Sequence, residues 1–322
     1  MDKKLFFVFN PKAGKGQIRE ALIDIIDIFN KNGYEVIAYA TQKARDAYEK
    51  TKEYESKVDM IVCSGGDGTL DEVVTAVMET GSNIRIGYIP AGSTNDFANS
   101  LFMPKSLTAM ASNIMEEVLY RCDIGRFNRQ SFAYVAAFGI FTDVSYQTAQ
   151  DLKNFLGHAA YILEGMKRLF DIRHYHIKVE SKEVNTEADF IYGMVTNSRS
   201  IGGFKHLTGK NIDMDDGLFE VTLIKYPTSP VEAQEIITAL LTAEDNTDQI
   251  YSFKTSHIKL TCDEPLSWTL DGEDGGLHTE VEIKTLKQQV KIMTPANLMN
   301  LQSNLPEPES TDAEEDMEDE YN

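Results

Sequence analysis

Short apolar runs alternate with helical periodicity over the first 125 residues, and the runs end in loops of small and polar residues. Leu5-Phe6-Phe7-Val8-Phe9 predicts a buried strand, and Ile18, Leu22, Ile25, Ile26 and Phe29 after it predict an amphipathic helix. Tyr34 to Ala40, Met60-Ile61-Val62-Cys63 and Ile86-Gly87-Tyr88-Ile89-Pro90 predict further strands, and Leu70, Val73, Val74 and Val77 a second helix. Such repeated units predict an α/β sheet that binds ligand beyond the C-terminal ends of its strands. Near residue 125 the pattern changes. Longer strand-like runs at 131–140, 174–182, 186–197, 217–226 and 250–262 predict a mostly antiparallel β domain, interrupted by helical segments near 157–170 and 229–242.

The loops carry the chemistry. Ser64-Gly65-Gly66-Asp67-Gly68-Thr69 joins a strand to a helix, where glycines bring bare N–H groups against an anion and the helix N-terminus adds partial positive charge. Asp67 repels phosphate unless a divalent cation lies between them, so loop and acid together suggest a nucleotide–metal site and phosphoryl transfer. A tight turn capped by Asp67 or Thr69 is the alternative. Asn10-Pro11-Lys12-Ala13-Gly14-Lys15-Gly16 and Ala91-Gly92-Ser93-Thr94-Asn95-Asp96-Phe97 are two more loops of this kind. Arg19 stands where a dinucleotide fingerprint needs its third glycine, and no segment has the Walker spacing. No His-Arg-Asp or Asp-Phe-Gly of the protein-kinase type is present.

Four motifs in order are Asn10-Pro11-Lys12-Ala13-Gly14, Gly65-Gly66-Asp67-Gly68-Thr69, Pro90-Ala91-Gly92-Ser93-Thr94-Asn95-Asp96 and Leu270-Asp271-Gly272-Glu273. Over roughly residues 1 to 300 the chain resembles the soluble bacterial diacylglycerol kinases and their lipid-kinase relatives. The glycine loop alone is shared with NAD kinases. The resemblance implies a three-layer, NAD-kinase-like α/β domain over 1–125, an antiparallel β-sandwich lipid domain over 126–290, a return to the first domain over 291–305 and an acidic tail over 306–322. It implies an ATP site lined by Asn10, Pro11, Lys12, Ala13, Gly14, Thr41, Gly66, Asp67, Gly68, Thr69, Leu70, Asp71, Glu72 and Ser93. Thr41, at a strand end, equally suits a helix N-cap. Asp71 departs from the asparagine of relatives, which adds negative charge near the phosphates; it also suits an ordinary first-turn acid.

Transfer to an alcohol needs a group that accepts the hydroxyl proton. Glu273 matches the family's proton acceptor, with Asp67 and Asp96 beside the metal and Asp271 as an assistant or a holder of metal. The Asp-Gly pair also favours a plain hairpin turn. A second acidic turn, Asp213-Met214-Asp215-Asp216-Gly217-Leu218, resembles the family's structural Mg²⁺ site, with Asp216 giving a side-chain oxygen and Asp213 and Leu218 backbone carbonyls. A solvated turn is its alternative. His174 and His176 share a strand face, and with no third ligand evident nearby a surface or packing role is preferred to zinc.

The net charge is −20, and the nine acids without a base from Glu307 to Asn322 leave −11 on the remainder. That balance excludes a duplex nucleic-acid binder and predicts a disordered tail and only transient contact with anionic membrane. Cys63, Cys122 and Cys262 are isolated in apolar runs, predicting buried thiols in a reducing cytosol. Five apolar residues at the N-terminus are too few for a signal core. A cytoplasmic protein follows, peripheral at the inner membrane face when it meets its lipid. The amphipathic stripe Leu152, Phe155, Leu156, Ala159, Ile162, Leu163, Met166, Leu169, Phe170, flanked by Lys153, Lys167 and Arg168, suits a bilayer or the protein's own core. Phe138-Gly139-Ile140-Phe141 and Ser200-Ile201-Gly202-Gly203-Phe204 suit an acyl-chain cleft or ordinary core. The reading is an ATP- and Mg²⁺-dependent lipid kinase with diacylglycerol as first-choice acceptor and phosphatidic acid as product. The alternatives are NAD kinase and a non-catalytic lipid- or nucleotide-binding regulator. Analogy with relatives also admits a homodimer.

Overall fold

The computed structural model describes residues 3–140, 170, 172–199, 212–242 and 247–296. The stripe from Leu152 to Leu169, Phe141, the Ser200–Phe204 segment and the acidic tail lie outside the described residues.

Strands β1 (Lys3–Phe9), β2 (Tyr34–Ala40), β3 (Met60–Gly65) and β4 (Arg85–Pro90) pair in parallel in the order β4-β3-β1-β2. Leu5 to Phe9 and Met60 to Gly65 are buried without alternation, as expected when both faces of a parallel sheet are covered. Helix α1 (Ile18–Lys31) packs with α5 (Leu107–Met115), and α2 (Asp46–Tyr54) with α3 (Asp67–Thr80). Ile18, Ile25 and Phe29 form the inward stripe of α1, while Ile23 on its outer face is exposed. The chain runs from β1 outward to β2, then crosses to β3 on the other side of β1. Connections therefore leave in opposite directions at β1 and β3, opening a crevice at the carboxyl ends of these strands.

The antiparallel part comprises β5 (Leu119–Phe127), β6 (Gln130–Phe132), β7 (Val135–Gly139), β8 (Tyr175–Ser181), β9 (Asn185–Thr196), β10 (Phe219–Lys225), β11 (Ile250–Thr255), β12 (His257–Leu270) and β13 (Glu273–Met293), with helix α6 (Pro230–Thr242) between β10 and β11. β7 and β8 lie end to end between β9 and β12: β8 takes Ile258 to Cys262 of β12, and β7 takes Trp268 to Leu270. Alternate residues of β12, Ile258, Leu260, Cys262, Leu266, Trp268 and Leu270, are buried in one core, where Trp268 meets Phe127 and Phe138 edge-on at 5.0 and 4.9 Å. Cys63, Cys122 and Cys262 are buried free thiols.

Two runs read as single strands are broken by side-chain hydrogen bonds. The 250–262 run turns at Ser256, where Thr255 Oγ1 donates to the His257 carbonyl (2.9 Å) and accepts its N–H (3.3 Å). The 131–140 run breaks at Ala133-Tyr134, whose N–H groups turn to a carboxylate far along the chain. Among the described residues all thirteen strands form one hydrogen-bonded sheet. β13 is the join, antiparallel to β12 and β5 and then parallel to Arg85–Gly87 of β4 through Lys291, Ile292 and Met293.

Candidate active site

Three loops meet at the crevice. Asn10 N–H donates to the Ser64 carbonyl (2.8 Å), Thr41 N–H to Phe9 (2.9 Å) and Ala91 N–H to Gly65 (2.8 Å). Gly14 has φ +52°, and a Cβ there would lie 2.4 Å from the Ala91 carbonyl oxygen. A Cβ on Gly92 would lie 2.5 Å from Gly66 Cα and 2.8 Å from Asn95 Oδ1. These two glycines are contact surfaces between backbones. Asn95, at φ 54°, closes its loop by accepting the Gly92 N–H (2.8 Å) and donating to the Gly92 carbonyl (2.9 Å).

The loops wall a cavity of about 550 Å³. Of the predicted nucleotide residues, Asn10, Lys12, Ala13, Gly14, Thr41, Gly66, Gly68, Thr69, Glu72 and Ser93 line it, together with Glu273. Gly92 of the third loop and Lys43 line it too, and Lys43 was not singled out from the sequence. The cationic loop before α2 was the available signal for Lys43. The volume suits a nucleotide, and two lysines beside backbone N–H groups suit its phosphates. Gly92→Ala is expected to weaken ATP binding at least about tenfold, roughly 1.4 kcal/mol, because the new methyl needs the loops to part. Isothermal titration of ATP checks it.

Four predicted nucleotide residues stand outside that lining. Pro11 gives its carbonyl to Arg19 Nε at 3.2 Å. Leu70 is buried in the core on the inner side of α3. Asp67 is buried, with Oδ2 accepting the N–H of Asp96 (3.0 Å) and Oδ1 that of Phe97 (3.3 Å), so it caps the short helix α4 (Asp96–Ser100). Burial, then the neighbouring Asp96 charge, pushes the Asp67 carboxyl up to about 6. Asp71 turns toward Asp271, and a side-chain hydrogen bond joins the two carboxyls. Glu72, though at the rim, accepts the N–H groups of Arg45 (2.8 Å), Ala47 (2.9 Å) and Tyr48 (3.2 Å), fixing the start of α2.

Leu270 and Glu273 pair across the β12–β13 hairpin, and the two residues between them, Asp271 (φ 50°) and Gly272 (φ 87°), both have positive φ. This is the two-residue loop that Asp-Gly favours. It delivers Glu273 to the glycine loop: Glu273 Oε1 is 3.9 Å from where a Gly68 Cβ would be. Asp271 itself is buried and accepts the N–H groups of Ala133, Tyr134 (3.0 Å) and Val135 (2.8 Å). With Asp71 as a fourth contact its lone-pair positions are filled, leaving none for a metal ion.

The second acidic turn lies apart. Asp216 Oδ1 accepts the Leu218 N–H (2.8 Å) and Oδ2 meets Lys254 Nζ (3.3 Å), which also meets the buried Glu220 Oε1 (3.0 Å). Burial pushes the Glu220 carboxyl up to about 7 despite Lys254. Asp123, buried and not singled out from the sequence, holds this turn to β13 through the N–H groups of Gly217 and Gln288, both at 2.6 Å. An acid inside the apolar run Tyr120, Cys122, Ile124 was its signal. Among the described residues no three His, Cys, Asp or Glu side chains cluster as metal ligands. Asp67 and Asp96 do fit a hard divalent cation, which would offset two buried charges that oppose each other. His176 lies between Asp189 (2.8 Å) and Glu187 (3.1 Å), and the His174 ring lies tilted against Tyr226 with centroids 4.1 Å apart.

A family model described as the diacylglycerol kinase catalytic domain matches residues 4–127. Diacylglycerol kinase of Staphylococcus carnosus (strain TM300) is 31% identical over 303 residues, covering 93% of this chain and 98% of the relative. The chain belongs to the diacylglycerol kinase family. Diacylglycerol kinase of Bacillus subtilis (strain 168) is likewise 31% identical over 297 residues, covering 91% and 97% of the two chains. This lipid-kinase family accounts for the glycine loop standing beside Leu270-Asp271-Gly272-Glu273. The fold is shared with a diacylglycerol kinase crystal structure from Bacillus anthracis str. Sterne, at TM-score 0.72 and 22% identity, covering 92% of this chain and 98% of the other. It is shared more distantly with an NAD kinase from Archaeoglobus fulgidus in complex with ATP, at TM-score 0.55 and 13% identity, covering 92% and 96%. No helix among the described residues is long and apolar enough to cross a membrane.

Proposed function

We propose that this diacylglycerol kinase family member phosphorylates diacylglycerol to phosphatidic acid with ATP. The observation that carries the reading is Glu273, held over Gly68 in the cavity that the three phosphate-type loops enclose. The ATP phosphates lie against the N–H groups of Gly66 and Gly68, with Lys12 and Lys43 offsetting their charge. Glu273 accepts the proton of the acceptor hydroxyl as its oxygen bonds the γ-phosphorus. The bond from that phosphorus to the β–γ bridging oxygen breaks, and ADP leaves. Asp67 and Asp96 would hold Mg²⁺, which would supply positive charge against the phosphates.

In the same reading residues 1–125 are a three-layer nucleotide domain, 126–290 a β-sandwich that receives the lipid, 291–305 the return segment and 306–322 an acidic tail. Asp213, Asp216 and Leu218 would hold a structural Mg²⁺, with Asp216 giving up its contact to Lys254. The enzyme meets the inner membrane face transiently, remains otherwise cytoplasmic, and pairs as a homodimer. Transfer of labelled γ-phosphate from ATP to lipid alcohols in mixed micelles, with NAD as competing acceptor, tests the function. Labelled phosphatidic acid is the expected product; labelled NADP, or no product from any acceptor, would overturn it.

A further inference from the structure

The contact between Asp71 on α3 and Asp271 at the β12–β13 hairpin is an acid against an acid. Asp271 receives three backbone N–H groups, from Ala133, Tyr134 and Val135, and donors in that number favour the ionised form. A second ionised carboxylate in contact would add unscreened repulsion, so the pair holds one proton and Asp71 carries it. Asp71 Oδ1 also accepts from Thr75 Oγ1 at 3.4 Å, a smaller effect that favours the ionised form. A neutral carboxyl can donate to Asp271 while it accepts from Thr75, and so can an asparagine amide.

We propose that Asp71 is a positioning residue: as the neutral acid it donates its O–H to Asp271 and so ties the two-residue turn that delivers Glu273 to the helix behind the glycine loop. Every link is covalent or hydrogen-bonded, from Thr75 through Asp71 and Asp271 to Gly272 and Glu273. The neighbourhood supports the proton. Asp67 and Glu72 lie on the same helix, with the Glu72 carboxylate committed to α2; Glu273 extends from the hairpin, and Tyr134 comes from the strand side. Burial first, then the charges of Asp271 and Glu273, hold the Asp71 carboxyl well above its ordinary value of 3.8.

The sign follows. A group whose pKa is raised on folding favours the fold below its ordinary pKa, and that contribution is lost as pH climbs through the raised value. Above it Asp71 ionises, the O–H is gone and the turn meets a repelling neighbour. Asparagine donates the same hydrogen bond and has no proton to lose.

The catalytic readout of the test rests on the kinase reading, whereas its titration readout does not. In full-length protein labelled with ¹³C at aspartate carboxyls, one signal distinct from that of Asp67 is expected to titrate well above the ordinary 3.8, and that signal is absent in Asp71→Asn. Wild-type kcat should fall on the alkaline side while Asp71→Asn stays level, with the same KM for ATP. Asp71→Leu, lacking any donor, should lose about a hundredfold in kcat at every pH, the usual cost of a misplaced catalytic group. Absence of a raised carboxyl signal that is lost in Asp71→Asn, or superimposable pH profiles for wild type and Asp71→Asn, would overturn the proposal. Wild type without turnover would strike the kinase reading and leave the carboxyl signal to decide the pairing.

Discussion

Glu273→Gln lowers kcat by about a thousandfold and leaves the ATP dissociation constant within about twofold, within the range set by removing a general base. The glutamine keeps the shape of the side chain at the cavity rim, so ground-state contacts with nucleotide persist; only the ability to take a proton in the transition state is removed. Glu273 is exposed at the first paired position after the hairpin loop, so the exchange should change stability by no more than about 0.5 kcal/mol. Turnover in mixed micelles beside calorimetric titration of ATP measures both halves. A variant retaining more than a tenth of wild-type kcat would remove Glu273 from the chemistry.

Asp271→Ala destabilises the protein by about 3–5 kcal/mol, because three buried N–H groups at Ala133, Tyr134 and Val135 lose their acceptor together, at roughly 1–3 kcal/mol each before relaxation. The corresponding fall in Tm is about 6–15 °C for a chain of this size class. Alanine at φ 50° also adds left-handed strain that Asp and Asn tolerate better. Asp271→Asn should be milder, since its carboxamide oxygen still accepts. Thermal unfolding followed by circular dichroism separates the two roles proposed for this residue. A metal ligand or direct assistant would lose activity with Tm preserved; an anchor loses Tm first.

The glycine loops and the α/β half were legible because their signals are local. Backbone N–H groups that accept a phosphate sit next to one another in sequence, and strand burial on both faces is written into runs such as Leu5 to Phe9. The roles of the acids were not. Asp67, Asp71, Glu72, Asp123 and Asp271 are all carboxylates, yet four of them cap or anchor distant backbone: Asp67 the start of α4, Glu72 the start of α2, Asp123 the 217 turn, Asp271 the corner at 133–135. An acid's partner is chosen by what the fold brings within 3 Å, and the separation of 136 residues between Asp271 and Val135 leaves no trace in either local pattern. The break in the 131–140 run was hidden for the same reason.

The Asp271-Gly272 pair shows where the boundary falls. By itself the sequence offered a hairpin turn as one reading of this dipeptide, because two consecutive positive φ angles exclude most side chains and favour it. It also determined that an acid follows that hairpin, that three glycine-bearing loops close three strands, and that the first half is α/β. Only the tertiary structure decided that β13 runs from this hairpin to the edge of β4, welding both halves into one sheet and bringing residue 273 over residue 68. Local conformational preference acts between neighbours in the chain, whereas an active site assembled from residues 10, 66, 92 and 273 exists only once hydrogen bonding and burial have chosen a single register among distant strands.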